Sequence, residues 1–289
     1  MRVSTVQIAG ADRVGAMRRL FSSLSLPEHA ARIAIKPNLC DYRAPETGAV
    51  AHPEIVAPLL EVLREHYPKA DISLCENDSS DTLASNIWRY VGLDEVAAKY
   101  DARCVDLSRA EWVEVPIDGL HFDRIEVPVP LLEADLVINH PKLKTHGKTR
   151  ITCALKNLFG CYRPKDKGFL HRFLDEAIVD INLAIRPHMV IVDADLCVEG
   201  NRGPTQGLPK RLGLLFGGSD PVAVDACCAK VMGFRPRSIG HIRRAARAGL
   251  GTMGYVLEGD LRGRDLDPYR FKYSEFKHLF MRAARRVVS

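Results

Sequence analysis

The chain has 289 residues, a formal net charge of +5 and 46% apolar content. That is ample apolar chain for one large domain or two modest ones, and too mild a charge for a disordered or strongly nucleic-acid-binding polypeptide. Met1 to Gly10 has strand character where a secretory leader would be charged and then apolar, and no apolar stretch approaches membrane-spanning length.

In chain order, Val3 to Ala9 and Ala31 to Pro37 are predicted strands with a helix from Val14 to Leu24 between them. Pro53 to His66 is an amphipathic helix with Ile55, Leu59, Leu60 and Leu63 on one side. A strand over Asp71 to Cys75, a helix over Thr82 to Tyr100 and a strand over Arg103 to Leu107 follow. Such alternation of strand and helix points to a mainly parallel sheet covered by helices. From Glu111 to Pro130 two valine-rich runs flank a turn at Asp118 and Gly119, the pattern of an antiparallel hairpin on a sheet edge. Alternation resumes with strands at Ala134 to Asn139, His188 to Asp193 and Arg211 to Phe216. Helices are predicted over His171 to Ile185, Pro221 to Met232 and Ser238 to Ala248. The expected fold class is α/β, with mainly parallel sheets flanked by helices in two lobes and a cleft between them. The expected segments are an N-terminal lobe at 1–107, a hairpin and connection at 108–135, a second lobe at 136–260 and a basic tail at 261–289. Within it, Phe276 to Ser289 reads as a solvated amphipathic helix.

Between Asp135 and Asp166 no acidic residue occurs, while Lys142, Lys144, Lys148, Arg150, Lys156, Arg163 and Lys165 do, with His140 and His146. Like charges repel, so such a cluster belongs on a solvated face or around an anion. If the chain is extended here, the strand period of two puts Lys142, Lys144, His146 and Lys148 on one face and Leu143, Thr145 and Gly147 on the other. His146 is then the acid–base candidate. Lys156 and Asn157 stand amid Ala154, Leu155, Leu158 and Phe159, where partial burial would lower the lysine pKa. Other polar clusters fall at predicted strand ends, where open α/β sheets bind ligands: Lys36 to Asn38, Glu76 to Asp78, Glu199 to Pro204 and Gly217 to Pro221.

Two phosphate motifs nearly occur and both fail. Gly147, Lys148 and Thr149 resemble the end of a P-loop, but Lys142 stands where that motif needs glycine. Gly249, Gly251 and Gly254 follow a predicted helix, where a dinucleotide loop would link a strand to one. No GxSxG elbow is present. Hydrolase and Rossmann dehydrogenase chemistry lose ground to isomerase or lyase chemistry. Asp180, Asp193 and Asp195 could gather at one strand end around a hard cation, though solvated turn carboxylates are the simpler reading. His52, His140 and Asp225 could ligate a metal but lack a ligand spacing. The eight cysteines (Cys40, Cys75, Cys104, Cys153, Cys161, Cys197, Cys227 and Cys228) form no CxxC, which suits buried thiols in a cytoplasmic protein.

Taken together, Lys36-Pro37-Asn38, Thr47-Gly48-Ala49 with His52-Pro53-Glu54, the run from Glu133 to His146, Ala154 to Gly160, Glu199 to Gly207 and Ser219 to Ala226 resemble the family catalogued as domain of unknown function 362. The resemblance spans about residues 3 to 258. It marks Lys36, Asn38, Lys142, Lys144, His146, Lys156, Asn157, Glu199, Asp220 and Asp225 as motif positions. Many relatives carry a ferredoxin-type cysteine run, which this chain lacks, so the resemblance does not imply an iron–sulfur cluster here. A more distant similarity of layout, to the nickel-pincer lactate racemases, implies an α-hydroxy acid by analogy alone.

The expected function is an enzyme of small-molecule metabolism acting on an anionic carboxylate or phosphate by lysine and histidine proton transfer. Lys144, His146 and Lys156 are the candidate catalytic residues, and Lys36, Asn38, Lys142, Asn157, Glu199 and Asp220 the candidate binding residues. Glu199, Asp220 and Asp225 would take a divalent metal if one is used. The alternatives are a redox or cofactor-handling protein working with an iron–sulfur or metal centre, and a non-catalytic anion-binding module. No nucleic-acid partner is expected.

Overall fold

The computed structural model describes residues 1–80, 82–163 and 167–274. The expected basic helix over Phe276 to Ser289, like Lys165, lies outside them. The first strands and helices are β1 (Arg2–Gln7), α1 (Arg13–Ser22), β2 (Arg32–Pro37), α2 (Pro53–His66) and β3 (Asp71–Glu76). They continue with α3 (Ala84–Val91), α4 (Leu93–Lys99) and β4 (Ala102–Asp106). The single helix expected over Thr82 to Tyr100 is two, because Gly92 takes a left-handed φ of 74° that ends α3 and opens α4.

The hairpin forms from β5 (Trp112–Pro116) and β6 (Arg124–Pro128), but as a separate two-stranded sheet, not on the edge of the main one. Its loop is held by Asp180, whose carboxylate accepts from the backbone N–H groups of Leu120, His121 and Phe122 at 2.6–2.9 Å. After α5 (Val129–Leu132) come β7 (Leu136–His140), β8 (Lys142–His146), β9 (Arg150–Thr152) and the four-residue α6 (Ala154–Asn157). The remainder is α7 (Leu174–Ala184), β10 (Met189–Glu199), β11 (Leu208–Gly218), α8 (Pro221–Val231), α9 (Gly240–Arg247) and β12 (Val256–Gly259).

The main sheet runs β12-β1-β11-β10-β7-β2-β3-β4, with β8 and β9 branching from β10. All neighbours along that path are parallel except β11, which is antiparallel to both β1 and β10. Fold class and layering are therefore as expected, a mostly parallel sheet between helices. The two expected lobes share this sheet, since β2 of the first pairs with β7 of the second from Ile33–Leu136 to Pro37–His140.

Strand alternation explains the layers. Ile33, Ile35, Leu136, Ile138, Ile191 and Leu215 pack in one core cluster with α1 to α4. Their neighbours Ala34, Val190, Val192, Leu214 and Phe216 pack in the other, with α6 to α9. Successive side chains point to opposite faces, so strands covered on both faces must be apolar throughout. The parallel order also lines up the carboxyl ends of β7, β2 and β3, which carry His140, Lys36 and Glu76.

Candidate active site

A cavity of about 400 Å³ opens above those strand ends. Among the described residues its lining includes Lys36, Lys144, Lys156 and Lys167, the histidines His146 and His171, and one carboxylate, Glu76. They reach it from several elements, Lys144 and His146 both from β8. Lys36 stands one residue before the end of β2, and its ammonium donates to Glu76 Oε2 and to the Pro37 carbonyl, both at 2.8 Å. Burial alone would lower the Lys36 pKa, but the Glu76 carboxylate outweighs it and holds the lysine above its ordinary value. This pair forms the floor.

β8 is extended, as the period of two required. Leu143 enters the core, and Thr145 Oγ1 donates to the Gly200 carbonyl at 2.7 Å. On the other face Lys144 is wholly buried, donating to Asn38 Oδ1 at 2.6 Å and to the Ala49 carbonyl at 2.7 Å, with Cys40 Sγ at 3.3 Å. Burial lowers its pKa. His146 Nδ1 accepts from the backbone N–H groups of Lys148 and Thr149 at 3.0 and 3.2 Å, so its proton sits on Nε2. Burial, then the nearby charge of Lys156 and Lys144, holds His146 well below its usual pKa. It is neutral near pH 7 and offers an N–H donor.

α6 carries Lys156 and Asn157. Asp225 accepts from Ala154 N–H at 2.7 Å and Leu155 N–H at 3.2 Å, pinning the start of the turn. Asn157 then ties it to the strand ends: its amide donates to the Lys36 carbonyl and Asn139 Oδ1, and its Oδ1 accepts from Asn38. Asn139 in turn donates to the Ala154 carbonyl at 2.8 Å. Lys156 Nζ lies 4.1 Å from the centre of the Phe159 ring. Burial, then the charge of Lys167, brings its pKa down to about 7. Lys167 donates to the Gly160 carbonyl at 2.9 Å, and burial lowers its pKa to about 8.

Of the residues expected in the site, Lys36, Asn38, Lys144, His146, Lys156 and Asn157 line this cavity. Lys142, Glu199 and Asp220 do not. The β8–β10 register sets Lys142 beside Asp193, and the two pair at 2.9 Å with almost no exposure. Glu199 accepts from Lys272 N–H at 2.9 Å. Asp220 caps α8 through the N–H groups of Val222 and Ala223, and takes a third from Thr252. A side chain at Gly251 would collide with that carboxylate, which accounts for this glycine without a nucleotide. The expected metal ligands are thus engaged separately: Asp225 at α6, Asp180 at the hairpin, and Asp195 with Arg13 and Arg211. His140 is buried, with Nδ1 2.7 Å from the Ile191 carbonyl, while His52 Nδ1 accepts from Glu54 N–H.

Among the described residues no group of three His, Cys, Asp or Glu side chains is placed to hold a metal ion. The pocket's charges are mostly ammonium groups, which repel a cation, so the lining does not fit a protein-held metal or iron–sulfur cluster. Lys167 and Cys40 are among the pocket residues that sequence reasoning missed.

The sequence model of a family described as a domain of unknown function, DUF362, matches residues 33–230. The chain belongs to that family. One relative, a thylakoid-associated protein of Synechocystis, is 29% identical over 227 residues, covering 76% of this chain and 68% of that protein. Among solved structures, the lactate racemase apoprotein of Thermoanaerobacterium thermosaccharolyticum overlaps 80% of this chain with a TM-score of 0.49 and 13% identity. A protein of Thermotoga maritima overlaps 70% with a TM-score of 0.39 and 10% identity. The chain spans 57% and 54% of those two chains. Among the described residues no helix is long and apolar enough to cross a membrane.

Proposed function

We propose that the pocket binds a small carboxylate or phosphate and moves a proton at one of its carbon atoms, as an isomerase, epimerase or lyase does. The observation that carries this reading is the imbalance of the lining. Among the described residues four lysines line it with one carboxylate, and that carboxylate already belongs to Lys36. An anionic ligand supplies the missing charge.

Each remaining group then has a part. Lys144, fixed by two oxygen acceptors, holds the anion with Lys167. Neutral His146 donates its Nε2–H to the substrate oxygen on which negative charge develops. His146 is therefore an electrophile in this scheme, not the base. The proton passes between substrate carbon and the lysine pair. Lys156, with a pKa of about 7, supplies an amine, and Lys167, at about 8, still supplies an ammonium. Activity should rise through about 7 as Lys156 loses its proton and fall through about 8 as Lys167 loses its own.

The test is hydrogen exchange in deuterium oxide across a panel of small carboxylates and phosphates, followed by mass spectrometry. One compound should take up deuterium at carbon with the wild type. Lys156→Met should abolish exchange while the compound still binds, and Lys144→Met should weaken binding itself. Wild-type affinity for an anion without exchange or turnover of any panel member would overturn the catalytic part.

A further inference from the structure

We infer that the substrate is a carbonyl compound bearing a carboxylate or phosphate, and that the Lys156 amine adds to its carbonyl carbon to form an imine. The inference rests on the reading above that an anion enters this pocket, and it names the atom that the amine attacks.

The argument begins with hydrogen-bond partners. Lys36, Lys144 and Lys167 each donate to at least one protein oxygen. Lys156, among the described residues, has no hydrogen bond or ion pair, and its Nζ rests over the face of Phe159 inside the cavity. A lysine that only clamps an anion works best fully charged and free to reach. This one grows from a single turn fixed at its start by Asp225 and at its end by Asn157, so its reach is narrow. Burial opposes its charge, and Lys167 and Lys144, which share the pocket, add to that. A desolvated amine next to other cations is the arrangement that makes lysine a nucleophile at neutral pH.

The step balances without any outside reagent. The Lys156 nitrogen lone pair forms the C–N bond as the carbonyl π electrons move to oxygen, where the His146 N–H receives them. A proton shifts from nitrogen to that oxygen, giving a neutral carbinolamine. The Lys167 ammonium then gives a proton to the hydroxyl, which leaves as water, and the nitrogen lone pair forms the C=N bond. One positive charge has moved from Lys167 to the iminium nitrogen, so the pocket's total charge is unchanged. Lys167, now an amine, is the base for the adjacent C–H, and the iminium accepts the electrons that the C–H bond releases. Return of the proton and addition of water release the product and restore both lysines.

Full-length protein would be incubated with pyruvate, or separately with dihydroxyacetone phosphate, in the presence of sodium cyanoborohydride. Intact mass and peptide mapping would follow. The expected result is one label per chain, on the Lys156 peptide, with a mass gain equal to the probe less one oxygen atom. Excess inorganic phosphate should suppress it, and Lys156→Arg, which keeps the cation but not the nucleophile, should lose it. Whichever probe labels tells whether the anionic group is a carboxylate or a phosphate. Binding of both probes is measured in parallel by calorimetry without reductant. Binding without a label, or label spread over surface lysines such as Lys69, overturns the imine and leaves the anion site standing. No binding of either probe overturns both.

Discussion

Lys156→Met should make the protein more stable, and by an amount that depends on pH. A lysine held at a pKa of about 7 against an ordinary 10.5 is disfavoured in its charged form in the folded state. At about 1.4 kcal/mol per pH unit, a gap of about 3.5 units costs about 5 kcal/mol at most. The figure is a ceiling, because Lys156 is partly exposed to the cavity's solvent and screening there reduces it, to roughly half. The sign follows from proton counting. Below about pH 7 both states are charged and the cost is complete; between about 7 and 10.5 only the unfolded chain holds the proton, so stability rises with pH; above 10.5 the cost is gone. Methionine removes this dependence and keeps most of the packing volume, losing only a cation–π contact of about 1 kcal/mol. Urea unfolding of both proteins at pH 6 and pH 9 is the assay. The variant's advantage should be larger at pH 6, by about 1–3 kcal/mol. Equal stability differences at the two pH values would refute the claim that Lys156 is held in an unfavourable charged state.

Two further substitutions separate frame from site. Lys142→Met alone leaves Asp193 buried without its partner and should cost about 3–5 kcal/mol, whereas Lys142→Met with Asp193→Leu should recover most of it in chemical denaturation. Asp220→Ala removes the acceptor of three backbone N–H groups. It should lower the melting temperature by roughly 4 °C or more, for about 2 kcal/mol, with anion affinity in calorimetry unchanged; weakened binding would return Asp220 to the site.

What could be read in the chain was local period. Lys144 and His146 alternate with Leu143 and Thr145, and that alternation alone set which side chains face the pocket and which the core. Lys142 shares their face but meets Asp193, and no local pattern announces that β8 lies beside β10 in that register. Lys36 and Glu76 were each legible as strand-end polar residues. Their pairing depends on β2 and β3 being neighbours, forty residues apart in sequence. Lys167 was lost because the basic window was closed at Asp166, one residue short. Asp220 and Asp225 bind backbone N–H groups at helix starts, and only for Asp220, just before Pro221, does the local sequence announce such a cap. β10 outran its expected end at Asp193 because its pairing with β11 continues past an irregularity at Ala194–Leu196 to Glu199. β12 is four residues on the sheet edge and had no apolar alternation to betray it.

The order of the sheet bears on where the gene can be cut. The family match begins at residue 33 and ends at 230, which leaves out β1 and β12. Yet β1 covers the outer side of β11 from Ser4–Gly217 to Gln7–Leu214, and β12 covers β1 in turn. A fragment trimmed to the match would bare the backbone of β11 along its buried, apolar end, an edge ready to pair with another copy of itself. Soluble expression for any of the measurements above therefore calls for boundaries that keep Arg2 at one end and reach past Gly259 at the other.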